Sequence, residues 1–340
     1  MPARIGKYTI ELQTNPAVLG FAAVVGKKEG EGPYAQYYDQ CHTDTTLGES
    51  SWERAESRLQ NEAVQLALHK AGLKNDEINC IFAGDLLNQC ISSTFGLRSL
   101  DIPFLGQFGA CSTMAQTLAI ASLFVESGAA AKAAAVTSSH FCSAERQYRF
   151  PLEYGGQRSP TAQWTATAAG SVILGARQQN MSARIGLQAV TFGRITDFGI
   201  KDVANMGAAM APAAAQTLID FFNDTTTSPQ DYDLILSGDL GLVGANLLKD
   251  MMQREGKDIS SVYNDCGLMI YDREKQDVHA GGSGCGCSAA ILCSYILQQM
   301  DALKLHKVLF IGTGALMSPT SSQQGESIPC VAHLVYLKAG

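Results

Sequence analysis

Hydrophobic and polar positions alternate along the chain in several distinct patterns. In "SWERAESRLQNEAVQLALHKAG" (51–72), Trp52, Leu59, Ala63 and Leu66 recur at helical spacing among charged residues. That spacing predicts an amphipathic helix with one buried face. Ser50 with Glu53 three residues later predicts a capping box at its start, and Gly72 a stop at its end. The segment after Cys111 differs. Met114, Leu118, Ala121, Leu123, Phe124 and Val125 cover more than one face, which predicts a helix buried on all sides, between two sheets. "AAAVTSS" (133–139), "SVILGAR" (171–177) and "VLFIGTG" (308–314) are near-continuous apolar runs, as in strands covered on both faces. "MGAAMAPAAAQTLIDFF" (206–222) predicts an Ala-rich helix interrupted by Pro212, and "IPCVAHLVYL" (328–337) a closing strand.

The patterns repeat. "CIFAGDLLNQ" (80–89) resembles "LILSGDLGLV" (234–243), each a short buried strand followed by Gly-Asp-Leu in a loop. "GACSTMAQTLAIASLFVESGAAAKAAAVTSS" (109–139) has a counterpart in "GCSAAILCSYILQQMDALKLHKVLFIGTGA" (286–315). Strand, loop, helix and strand thus occur twice, half a chain apart, as gene duplication produces. The fold class expected is α/β, with two duplicated βαβαβ halves, mixed sheets and a layered α-β-α-β-α arrangement. The halves are placed at residues 1–180 and 181–340. Residues 140–165 form a long excursion between strands, of the kind that carries function.

The chain has 340 residues, 46% of them hydrophobic and 17% charged, enough to bury a large core. A net charge of -7 argues against a nucleic-acid partner, which favours a basic face. The first fifteen residues, "MPARIGKYTIELQTN", lack the apolar core of a secretory signal. No apolar run reaches the roughly 18 residues that span a bilayer. Ten cysteines mostly sit inside apolar segments, as buried free thiols do in a reducing compartment. Cys285-Gly-Cys287 has the wrong spacing for a zinc site, so neither a metal nor a cofactor is expected.

Cys111 stands at a strand-to-helix junction, where amides and the helix dipole favour an anion and lower a thiol pKa. It reads either as a nucleophile or as a small thiol filling a tight turn. His140 follows the strand "AAAVTSS", at the strand end where such sheets bind ligands. His279 stands before "AGGSGCGCS". In "HFCSAERQYRFPLEYGGQRSP" (140–160), Arg146, Arg149 and Arg158 accompany Tyr148, Phe150 and Tyr154. Guanidinium forks beside aromatic rings suit a flat dicarboxylate, although pairing with Glu145 and Glu153 would use the same arginines. "AGGSGCGCSA" (280–289) lacks the lysine of a phosphate loop. Its glycines permit close backbone approach near Cys285 and the helix after Cys111. Asp85 and Asp239 read as ligands, bases or helix caps.

At these residues the chain resembles a known fold family. A cysteine opening a buried helix in a duplicated α/β chain is similar to thiolases and ketosynthases, and "TATAAGSVILGA" (165–176) to the strand closing their first half. "GDLLNQ", "FGACST", "SSHFCSAERQYRFPLEYGGQ", "MGAAMAPAAA", "YDLILSGDL", "NDCGLMIY", "AGGSGCGCSA" and "GTGALMSPT", in this order, resemble the stage V sporulation protein AD family. The resemblance implies a thiolase-like fold and a homodimer. It implies binding of dipicolinic acid (pyridine-2,6-dicarboxylate), free or as its calcium chelate, for uptake into the forespore. It also implies a soluble subunit held at the spore inner membrane by the membrane proteins of the SpoVA complex. The ligand site expected comprises Cys111, His140, Arg146, Arg149, Tyr154, Ser283 and Cys285. Cys111 matches the acyl-accepting cysteine of the enzymes, so acyl transfer is the rival activity. Ketosynthases place a histidine near "SGDLGLVG" (237–244), where this chain has Asp239. They place an asparagine or histidine in the loop that here reads "GGSGCGCS". The catalytic set is therefore incomplete.

Overall fold

A computed structural model describes residues 2–149, 158–178 and 183–340, with Arg149 described through its backbone only. Ten strands in one continuous sheet carry the architecture. The first five are Ala17–Val25, Cys80–Gly84, Phe104–Gly106, Lys132–Ser139 and Ala168–Gly175; the second five are Ile185–Phe192, Leu234–Ser237, Tyr263–Asp265, Lys307–Ala315 and Cys330–Ala339. Within each set the spatial order is third, second, fourth, fifth, first. The third, second and fourth strands pair parallel, and the fifth pairs antiparallel with both the fourth and the first. Even an irregularity repeats. Each pairing of first with fifth strand shifts register once, between Val18 and Gly20 and between Leu187 and Ala189. The two first strands meet antiparallel through Ala17 and Gly186, joining the halves. The boundary placed at residue 180 falls outside the described residues.

The layers follow from strand alternation, since successive side chains point to opposite faces. Phe82, Ala133, Ala135 and Val172 face one core with Leu236, Val308, Phe310 and Val335 from the other half. Between them lie the helix Thr113–Glu126 and the second central helix, which begins at Cys285–Ile291. Ile81, Ala83, Ala134, Val136 and Ile173 point outward to the helix Trp52–Ala71. Ile235, Leu309, Ile311 and Leu334 point outward to the helix Met206–Thr225. Helix, sheet, helices, sheet, helix is the sequence of layers.

Two local expectations need correction. The N-cap of the first outer helix is Ser51, whose Oγ accepts the Arg54 N–H at 3.3 Å, and not Ser50. Glu53 then lies at the second helical position, too early to close a capping box, and pairs with Arg146 instead. Helix Met206–Thr225 runs unbroken through the buried Pro212. The second central helix widens to π geometry over Leu292–Ile296 before finishing at Leu297–Asp301. All ten cysteines are free thiols. No helix among the described residues is long and apolar enough to cross a membrane.

Candidate functional site

Three chain segments bring the site together. The first is a single 3-10 turn, Ala110–Ser112, that leads into helix Thr113–Glu126 and carries Cys111. Ala110 adopts φ 49°, in the left-handed region, and so turns the chain sharply before the cysteine. The second is a parallel strand pair, Trp164–Thr165 with Gly282–Ser283, which links the two halves across the site. The third is the Gly-Asp-Leu turn after Leu234–Ser237, which delivers Asp239. Strand Lys307–Ala315 presses on the first of these. A Cβ on Gly314 would stand 2.2 Å from the Gly109 carbonyl oxygen, so only glycine permits this approach.

Cys111, Ser283, Thr165, Ala110 and Ala315 line a narrow cavity of about 50 Å³, with Leu86, Ala144, Glu145 and Tyr148 on one wall and Val203, Met206 and Met317 on another. Ligand pockets ordinarily hold about 300–1,000 Å³. Asp239 lies buried behind this floor. Its Oδ1 accepts from Thr313 Oγ1 at 2.9 Å, and its Oδ2 from the Gly284 N–H at 2.7 Å and Ser283 Oγ at 3.2 Å. The Cys111 thiol faces the same carboxylate.

This arrangement reverses the expectation of a reactive thiolate. Burial pushes the Cys111 pKa well above the ordinary thiol value, and the Asp239 charge and then Cys285 push it further the same way. A helix N-terminus stabilises an anion by at most about 2 kcal/mol. Loss of solvation together with an adjacent like charge outweighs that. Burial likewise raises Asp239, to about 6, against the hydrogen bonds that favour its ionised form. Cys285 is fully buried, and its thiol donates to the Ser138 carbonyl at 3.0 Å. It packs with Cys111, Leu86 and Ala144.

His140 and Arg146 stand apart from this cavity. Both ring nitrogens of the buried His140 are engaged by main chain. Nδ1 accepts from the Cys142 N–H at 3.1 Å, which leaves Nε2–H to donate to the Thr45 carbonyl at 2.7 Å. Burial lowers its pKa, so it stays neutral. Arg146 pairs with Glu53 and lies 5.4 Å from the Trp52 ring centroid. With Arg54 it lines a separate open cleft of about 520 Å³. The Arg149 side chain and Tyr154 lie outside the described residues. His279 pairs with Asp277 at 3.0 Å. Asp85 caps its own loop, accepting from the Leu87 and Ser93 N–H groups and from Ser93 Oγ.

Sequence reasoning missed the weight of two residues. In sequence Tyr148 is one of several aromatics; in the structure it lines the Cys111 cavity and donates to the Leu86 carbonyl. Asp239 was one of two matched aspartates. The signal separating it from Asp85 is its place opposite the cysteine-bearing half.

The stage V sporulation protein AD family model matches residues 6–338. Stage V sporulation protein AD of Bacillus subtilis (strain 168) is 44% identical over 336 residues, covering 98% of each chain. Among solved structures, an OleA variant of Xanthomonas campestris matches with a TM-score of 0.62 at 13% identity, covering 95% of this chain and 96% of its own. The 3-oxoacyl-[acyl-carrier-protein] synthase III of Aquifex aeolicus matches with a TM-score of 0.58 at 12% identity, covering 95% and 99%. At such identities these structures establish the fold alone, which is that of thiolases and ketosynthases.

Proposed function

The chain belongs to the stage V sporulation protein AD family, and from that premise we propose that it binds dipicolinic acid, free or as its calcium chelate, and supports its uptake into the forespore. In this reading it is the extramembrane subunit of the SpoVA complex, held at the forespore inner membrane by membrane partners and acting as a homodimer. The Cys111 cavity is the ligand's seat. One observation carries the choice of binding over catalysis: Cys111 is a buried thiol set against the Asp239 carboxylate. A nucleophilic cysteine needs a group that takes its proton and stabilises its charge; an ionised carboxylate facing it favours the protonated thiol. Met206 and Met317 suit a wall that must widen for a planar ligand, because unbranched thioethers repack easily.

Calorimetric titration with dipicolinate, with and without calcium, tests the reading. Saturable binding at or below millimolar ligand, weakened by Cys111→Ala, is the expected result. Absence of saturable binding in both series would overturn it. The same preparation incubated with acyl-CoA donors should gain no mass on Cys111. A stable adduct that disappears in Cys111→Ser would favour acyl transfer instead.

A further inference from the structure

The polar groups at the floor of the Cys111 cavity converge on one carboxylate. Thr313 Oγ1, Ser283 Oγ and the Gly284 N–H all donate to Asp239, and Cys111 faces it. The turn that carries Cys111 is packed against a neighbouring strand. A Cβ on Gly312 would stand 3.0 Å from the Ser112 carbonyl oxygen, so strand Lys307–Ala315 holds the turn in place. Donors spent on Asp239 are not offered to a ligand. A carboxylate there also opposes any second negative charge, whether a thiolate or an incoming anion.

The titratable groups around the floor do not offset this. Asp239 comes from the Gly-Asp-Leu turn, Cys285 and Cys287 from the second central helix, and Tyr148 and Glu145 from helix Phe141–Arg149. Asp265, at the end of the neighbouring strand, adds a further carboxyl. None of these described groups is cationic.

We propose that Asp239 tunes the charge state of the site: as a carboxylate it adds to burial in keeping Cys111 a thiol, and it admits an anionic ligand only together with a proton taken up on itself. Burial already brings Asp239 to about 6, so mild acid supplies that proton. Protonation frees Ser283, which lines the cavity, to turn its hydroxyl to an acceptor. By linkage, a ligand that favours the protonated form raises the Asp239 pKa further, and its affinity falls as pH rises. The ligand half of this inference rests on the reading of the cavity as the dipicolinate seat; the thiol half does not.

Asp239→Asn, a near-isosteric neutral replacement, tests both halves. Without ligand, the rate of Cys111 alkylation by iodoacetamide is followed by intact mass from pH 6 to 10, with Cys111→Ser identifying the site. The apparent pKa should fall by about one unit or more in Asp239→Asn, the size of effect expected of one adjacent charge. An unchanged profile in a variant that melts like the parent overturns the thiol half. With dipicolinate, calorimetry from pH 5.5 to 8 in two buffers of different ionisation enthalpy counts protons. Above pH 7 the parent chain should take up close to one proton and weaken by up to about tenfold per pH unit, with both effects fading as pH falls through about 6, whereas Asp239→Asn binds without uptake. Binding by the parent without proton uptake overturns the ligand half. No binding at any pH overturns the dipicolinate reading with it, while the alkylation profile still decides the thiol half. Should Asp239→Asn not fold, Thr313→Val serves. Removing a donor to the carboxylate must move the midpoint of proton uptake to higher pH, and an unmoved midpoint counts against the proposal.

Discussion

Glu56 illustrates how much a single buried carboxyl does in this chain without being part of the Cys111 cavity. It is fully buried, accepting from Ser143 Oγ at 2.7 Å and Ser138 Oγ at 3.1 Å. Burial raises its pKa first, and the nearby Asp85 charge raises it further. The sign of the linkage follows. In the unfolded chain Glu56 ionises near 4.5; in the folded chain it holds its proton to higher pH. Its contribution to stability is therefore full below that value and declines as pH rises above it, levelling off once the folded form also ionises. Glu56→Gln keeps a hydrogen-bonding head and removes the titration. Urea unfolding should show the variant gaining on the parent between pH 5 and pH 8. An equal difference at both values would mean that Glu56 is ionised in the native state throughout. Ser143 joins Glu56 to helix Phe141–Arg149, the wall carrying Ala144, Glu145 and Tyr148, so a residue remote from Cys111 helps hold its surroundings.

Elements were legible in the sequence where their pattern is a consequence of their own burial. The helix after Cys111 is apolar all round because sheets cover it on two sides, and Thr113–Glu126 lies where that pattern placed it. The paired Gly-Asp-Leu segments mark equivalent strand ends, and Ser283 lines the same cavity as Cys111. What the sequence hid was partner choice across long separations. His140 has the right position for a ligand, but Thr45, ninety-five residues away, takes its Nε2–H. Arg146 has the right chemistry, but Glu53 takes it, ninety-three residues away. The π turn at Leu292–Ile296 was equally hidden, since a widened turn in an apolar helix leaves no mark on its periodicity. Helix starts were ambiguous for a local reason: Ser50 and Ser51 are adjacent hydroxyls, and only backbone dihedrals choose between them. Ser51 has the extended conformation of a cap, φ -153° and ψ 158°. Ser51→Ala should cost about 1 kcal/mol in urea unfolding, as loss of an N-cap does, and Ser50→Ala only a few tenths. The reverse order would restore the cap to Ser50.

At the scale of the molecule, the two halves share strand order and bulge but differ at their edges. The third strand of the second half, Tyr263–Asp265, is half-buried to buried, whereas Phe104–Gly106 in the first half is exposed along its whole length. Such an edge presents unpaired backbone groups and is a site of association unless charged or covered. Here it is apolar. Phe104 is 40% exposed and Leu105 39%, and beside them stand Phe108 at 46%, Ile91 at 40% and Phe95 at 53%. Arg98 and Asp101, both exposed, flank the same ridge. A two-fold axis through this edge would set the strand against its own copy, as a self-complementary interface requires. The homodimer proposed above is therefore best sought here. Sedimentation at micromolar concentration should give a species of twice the 36.2 kDa chain mass. Phe95→Glu with Leu105→Glu should return it to one chain while leaving the melting of the core, which neither side chain enters, nearly unchanged. A parent chain that sediments as a single copy would rule out this edge as a stable interface. A dimer that survives both substitutions would move the interface to another face.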